Sequence, residues 1–201
     1  MTLRLSARAR LPLLLGAGLL AAGALPVPAV AADEVALGDP AAPVTMIEYA
    51  SLTCPHCAAF HKELLPGIKE RWIDTGKVRY VFRDFPLDGV ALKAAVLAHC
   101  AGPDRYYAFL DALFSSQTTW ARAKDPVAAI KQLARLGGLS EEKADACLAD
   151  EAMSNAVLQS RLDGEKEFKV DSTPTIIING TVYEGDRTLD AFAAVIDPLT
   201  Q

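Results

Sequence analysis

The spacing of apolar positions changes several times along the chain, and each change marks an expected element. Val44-Thr45-Met46-Ile47-Glu48-Tyr49-Ala50 is apolar on both alternating faces, the pattern of a strand covered on two sides. From Ala58 to Trp72 the spacing becomes helical: Phe60, Leu64, Leu65, Ile68 and Trp72 share one side, with Lys62, Glu63, Lys69, Glu70 and Arg71 largely opposite. Pro66 deletes the bond to the carbonyl of Lys62 and predicts a kink. Asp74-Thr75-Gly76 ends the helix, and a strand pattern resumes over Lys77 to Phe82. Two parallel strands joined by a helix form a right-handed crossover.

From Leu87 to about Lys169 the apolar positions keep helical spacing and no strand pattern interrupts them. The predicted helices are Asp88 to Ala101, Asp104 to Ser115, Pro126 to Leu136, Ser140 to Ala149 and Glu151 to Phe168. Gly102-Pro103, Asp125-Pro126 and Gly137-Gly138 supply the turns between them. Ser172-Thr173-Pro174-Thr175 then leads into Ile176-Ile177-Ile178, the pair Asn179-Gly180, and Thr181-Val182-Tyr183. Asn-Gly between β-rich runs signals a tight hairpin. Thr188 caps a closing helix, Leu189 to Ile196. The order is strand, helix, strand, helical block, hairpin, helix: an α/β architecture whose mixed central sheet carries an inserted all-helical domain over residues 87–169, between a first part at 33–86 and a second at 170–201.

The first 31 residues follow another pattern. Arg4, Arg8 and Arg10 precede the apolar run Leu11 to Leu25, and Ala29-Val30-Ala31 before Ala32 offers a small-residue cleavage point. This is the form of a secretory signal peptide, 1–31, with an apolar part short of the ~20 residues a membrane span needs. Cleavage removes three of 20 basic residues and none of 25 acidic ones, leaving 17 against 25 and a formal charge of −8. An acidic mature chain argues against nucleic acid as a partner, because phosphate binding wants a basic surface. A bacterial-style signal and four cysteines point to the periplasm, where disulfides persist.

The chemistry concentrates at Thr53-Cys54-Pro55-His56-Cys57, where the first strand hands over to the first helix. A sulfur leading a helix meets its free backbone N–H groups and positive end, which stabilise a thiolate. Cys54 holds that position as the nucleophile; Cys57, inside the first turn, is the resolving partner. Pro55 is tolerated where a first-turn N–H has no acceptor, and His56 adds a positive charge and a donor. A stabilised thiolate makes the disulfide a stronger oxidant. The competing use of C-x-x-C is half a zinc site, which needs a second close pair of ligands, whereas Cys100 and Cys147 stand apart. Glu48 falls on the face of Val44 and Met46 and is either a strand-end residue reaching solvent or a buried proton acceptor and donor for Cys57. Cys100 and Cys147 lie on two predicted helices that can face one core, so they are either free apolar thiols or, in an oxidising compartment, a structural disulfide. Trp120, His61 and His99 are given packing or surface roles.

Cys54-Pro55-His56-Cys57 at the first strand-helix junction, Thr173-Pro174 before the hairpin and the helical block between them resemble the thioredoxin fold of the DsbA family of periplasmic thiol:disulfide oxidoreductases. The likeness covers about residues 38 to 198. It implies Cys54 as the exposed attacking cysteine, Cys57 as the buried one, Glu48 as the buried acid and Pro174 as the cis-proline beside the disulfide. Thr173 departs from the valine of the best-known oxidases, and threonine there also occurs in isomerases. The implied activity is oxidation of reduced exported proteins by the Cys54-Cys57 disulfide, with no other cofactor, followed by reoxidation by a quinone-linked membrane protein of the DsbB type. The alternatives are an isomerase or reductase, for which only Ala32 to Pro43 is available as a preceding dimerisation region, and a non-catalytic thioredoxin-like chaperone or metal-binding protein.

Overall fold

The computed structural model describes residues 2 and 34–200. The expected signal segment, all but Thr2, therefore lies outside the described residues, as does its cleavage point. Among the described residues five strands form one mixed sheet: β1 (Ala36–Leu37), β2 (Val44–Ala50), β3 (Val78–Asp84), β4 (Thr175–Ile178) and β5 (Thr181–Val182), in the order β1-β3-β2-β4-β5. β2 and β3 run parallel, with Val44 beside Val78 and Ala50 beside Asp84; β4 pairs antiparallel with β2, with Glu48 opposite Ile176. Asn179 and Gly180 both take positive φ, 45° and 80°, which turns the chain from β4 into β5 in the sense that matches strand twist. The lead-in expected to be irregular contributes β1, antiparallel to β3. Two residues are too short to leave a periodic signal.

The alternation of β2 sorts its side chains between two cores. Val44, Met46 and Ala50 join Tyr80, Phe82, Ile176 and Ile178 on the larger side, while Ile47 and Tyr49 join Val81, Phe85, Val170 and Ile177 on the other. The larger side is covered by the segment after β2. It begins as α1 (Pro55–Ala59), passes through a π-helical turn at Phe60–Leu64, continues as α2 (Leu65–Ile68), and widens again at Lys69–Ile73. Pro66 is therefore flanked by two π turns, an interruption in place of a simple kink, since the lost donor is absorbed by wider turns on both sides.

The insertion contains α3 (Gly89–Cys100), α4 (Pro103–Ser115), α5 (Gln117–Trp120), α6 (Pro126–Leu136), α7 (Glu141–Leu148) and α8 (Glu151–Phe168). Asp88, Asp125, Ser140 and Asp150 cap α3, α6, α7 and α8 through their side chains, so local sequence fixes these starts. The single-turn α5 was not expected from periodicity. α8 returns across the smaller side of the sheet, where Gly164 lets the helix approach the ring of Tyr49: a Cβ there would lie 2.7 Å from it. The closing α9 (Leu189–Leu199) runs past its expected end and includes Pro198 in its last turn. Phe192 of α9 packs edge-on to Phe60, with ring centroids 6.4 Å apart.

A disulfide joins Cys100 of α3 to Cys147 of α7, with Cα atoms 6.4 Å apart. It ties helices separated by 47 positions in the chain. Entropy loss in the unfolded chain from a loop of this size gives on the order of 4 kcal/mol.

Candidate active site

The last residues of β2 and the first turn of α1 form a short loop, Ser51 to Cys54. Cys54 is the N-cap of α1 in extended conformation, and Pro55 occupies the first helical position. Both cysteines are reduced here. Cys54 keeps 7% of its surface and Cys57 none, so only the first is presented to a partner. The separation in exposure is narrower than an "exposed" nucleophile suggests, because neighbouring loops crowd Cys54.

One of these loops carries Thr173 and Pro174, joined by a cis peptide bond. Cys54 Sγ lies 3.4 Å from the carbonyl oxygen of Thr173 and, as a thiol, donates to it. Arg187 donates to the carbonyl of Pro174 and anchors this loop from the far side.

The two thiols have opposite acidities. Cys54 is lowered to about 5, first by the hydrogen bond from the Cys57 thiol; burial opposes this, while donors from Thr173 and the backbone N–H groups of Cys57 and His56 add to it. Cys57 is pushed far up, first by burial and then by its bond to Cys54 and the negative charge of Glu48. The Thr173 hydroxyl is buried without a partner in this reduced form. A carbonyl cannot serve a thiolate, so that hydroxyl is the group able to turn toward Cys54 once its proton is lost. His56 is exposed and contributes its backbone N–H. The expected contribution of its imidazole is thus secondary to main-chain donors.

Beneath Cys57, Glu48 is completely buried. Tyr80 of β3 donates to its Oε2, and His61 Nε2 lies 3.1 Å from the same oxygen. Glu48 therefore stays in the interior and does not reach solvent. His61 is buried as well, stacked on Phe114 of α4 with centroids 4.0 Å apart. It was expected to be an ordinary packing or surface residue. A signal was present in its position four residues after Cys57, which puts both on one helical face.

Two residues of the insertion hold the loop from outside. Gln117 Nε2 donates to the carbonyls of Leu52 (2.8 Å) and Cys54 (2.9 Å), the second of which also accepts from the Ala58 N–H at the start of α1. Asp88 accepts from the Thr53 hydroxyl (2.7 Å) through one oxygen while the other caps α3. Neither was predicted, because nothing in a one-dimensional pattern reports a contact across 35 or 63 residues. Trp120 supports this latch by donating to the carbonyl of Leu113, and His99 is bonded at 2.6 Å to Asp84.

Comparison with known proteins agrees with this geometry. The thioredoxin family model matches residues 31–198. The crystal structure of alpha-DsbA1 from Wolbachia pipientis is 35% identical, covers 88% of this chain and 93% of its own, and superposes with a TM-score of 0.78. Oxidised BdbD from Bacillus subtilis, 24% identical over 83% of this chain and 92% of its own, superposes with a TM-score of 0.75 and supports the fold. A Rickettsia bellii protein named as a protein-disulfide oxidoreductase is 30% identical over 166 residues, 82% of this chain. The chain spans 64% of the length of that relative.

Proposed function

Because this chain belongs to the DsbA family of the thioredoxin fold, we propose that it is an exported protein thiol:disulfide oxidoreductase that donates its Cys54-Cys57 disulfide to reduced proteins in the periplasm. The observation that carries the reading is the placement of the pair, with Cys54 as the N-cap of α1 beside the Thr173 loop and Cys57 fully buried behind it, an arrangement that lowers Cys54 to about 5. A thiol that is ionised at neutral pH stabilises the reduced protein and so makes the disulfide the better electron acceptor. Relative to an ordinary thiol, this favours reduction at pH 7 by roughly 3 kcal/mol, or roughly 60 mV for two electrons.

A substrate thiolate attacks Cys54 Sγ, the only sulfur of the pair with exposed surface. The Cys54–Cys57 bond breaks, Cys57 leaves and takes a proton, and a mixed disulfide joins Cys54 to the substrate. A second substrate thiolate then attacks the substrate sulfur of that bond and releases Cys54 as its stable thiolate. The substrate loses two electrons and the enzyme gains them. A membrane reoxidase of the DsbB type, linked to quinone, would return the pair to the disulfide; the family likeness supports this part of the reading.

The zinc alternative loses support from the Cys100–Cys147 bond, which removes both remaining cysteines as ligands. The test is the equilibrium reduction potential in glutathione buffers beside oxidation of a reduced unfolded substrate and reduction of insulin. An oxidase shows a potential well above that of thioredoxin, ~−270 mV, and fast oxidation. A potential near thioredoxin with efficient insulin reduction would instead make it a reductase.

A further inference from the structure

Glu48 is sealed from water, yet every turnover requires Cys57 to lose or gain a proton in its neighbourhood. The residues between Glu48 and the surface supply a route. His61 Nε2 stands 3.1 Å from Glu48 Oε2, the two side chains being 2% and 0% exposed. The contact is close but not aligned as a hydrogen bond: both ring nitrogens of His61 and Oε1 of Glu48 are buried without partners. Three buried polar atoms without partners in one cluster carry an uncompensated desolvation cost that a purely structural core would remove with apolar residues.

The ring is held by aromatic faces and not by polar bonds. It stacks on Phe114, with Phe82 edge-on at 5.8 Å and Phe60 at 6.1 Å. Such a cage fixes the plane of the imidazole and leaves its nitrogens unengaged. On the outer side, α4 packs against the π turn that carries His61. Asp111 lies three residues before Phe114, hence on the same helical side, and is exposed. Its carboxyl is raised by partial burial and held back by the nearby charges of His61 and Lys69.

We propose that His61 is the proton relay of this site, carrying protons between the buried Glu48 that serves Cys57 and Asp111 at the surface. When the pair is oxidised from a mixed disulfide, Glu48 takes the proton of the Cys57 thiol, and the Cys57 thiolate attacks Cys54 Sγ. The new Cys54–Cys57 bond expels the other thiol as a thiolate. The proton passes from Glu48 to His61 Nε2, and the ring releases one from Nδ1 toward Asp111 and water. Reduction runs the same path inward. His61 touches neither sulfur, so it acts through Glu48. The other titratable groups around this path are Cys57, Tyr80 and Tyr107, with Lys69 beyond Asp111.

The inference rests on the thiol-disulfide reading of Cys54 and Cys57 but not on the direction of the reaction. The test uses the full mature protein, reduced and then converted to a Cys54 mixed disulfide with oxidised glutathione. Release of glutathione is followed by stopped flow against pH and in deuterated water. His61→Gln keeps a polar side chain but cannot relay; it should slow release about tenfold or more and lose the solvent isotope effect of the parent. His61→Ala should recover with added imidazole and not with the weakly basic pyrazole. Asp111→Asn, at an exposed position, should slow release severalfold, and the Cys54 thiolate titration should stay unchanged in all three. Unchanged release rates and isotope effects in Asp111→Asn and in folded His61→Gln would overturn the relay. If the His61 variants do not fold, an unchanged Asp111→Asn overturns it alone. Failure of Cys54 to form the mixed disulfide at all would overturn the underlying redox reading instead.

Discussion

The two cysteine pairs of this molecule have the same atoms and opposite environments. Cys54 and Cys57 sit one turn apart at a strand-helix junction, where main-chain N–H groups and a neighbouring thiol favour the thiolate of one and burial favours the thiol of the other. Cys100 and Cys147 join α3 to α7 across 47 positions, partly exposed at the edge of a helical core. The first pair is shaped so that its reduced state is comfortable. The second acts chiefly on the unfolded chain, whose freedom it limits. What a disulfide does thus depends on what surrounds the separated sulfurs.

The largest effects expected from this contrast come from the active pair. Cys54→Ser should reduce thiol-disulfide exchange to background, while Cys57→Ser should keep the nucleophile and accumulate mixed disulfides with substrates, read as adducts on non-reducing gels. Better trapping by Cys54→Ser than by Cys57→Ser would reverse the roles. Cys100→Ala with Cys147→Ala should leave exchange intact and lower unfolding stability by up to ~4 kcal/mol, measured in denaturant. Mild reductant should open Cys54–Cys57 first, as differential alkylation and mass spectrometry would show.

Next in size is a pH effect confined to the active pair. Cys54 is depressed in the folded reduced protein, so its contribution to stability is complete above the unfolded thiol range, near pH 9, and is lost as pH falls through about 5. The reduced form should therefore lose roughly 3 kcal/mol relative to the oxidised form between pH 7 and pH 4, measured by parallel denaturant titrations.

Gln117→Ala tests the link between the two regions. It removes the Gln117 donor from the Leu52 carbonyl and one of two donors from the Cys54 carbonyl, and should cost ~1–3 kcal/mol; it should also blur the position of Cys54, read as slower attack on a small disulfide. His56→Leu is the smallest change. The ring is exposed and the main chain supplies the donor, so Cys54 should rise by about one unit or less, ~1.4 kcal/mol or ~30 mV.

The same division governs what could be read from the chain alone. Cys54-Pro55-His56-Cys57, the helix caps and the Asn179-Gly180 turn are local devices, legible because neighbours in sequence make them. The resemblance added the cis-proline role of Pro174, which no local pattern specifies. Gln117, Asp88 and the His61 side of Glu48 were missed. Their partners lie 63 and 35 residues away, or, for Glu48 and His61, on different elements. A histidine in an apolar stripe looks like any other core residue until the carboxylate above it is known. β1 and α5 were missed for the simpler reason that two and four residues show no period.

The most direct test is ultraviolet titration of thiolate absorbance in the reduced protein, with Cys57→Ser as the reference for Cys54 alone. The account predicts one transition near pH 5 belonging to Cys54 and no titration of Cys57 through the neutral range. A first transition near pH 9, the range of an ordinary thiol, would contradict it, because the disulfide would then have no built-in tendency to accept electrons.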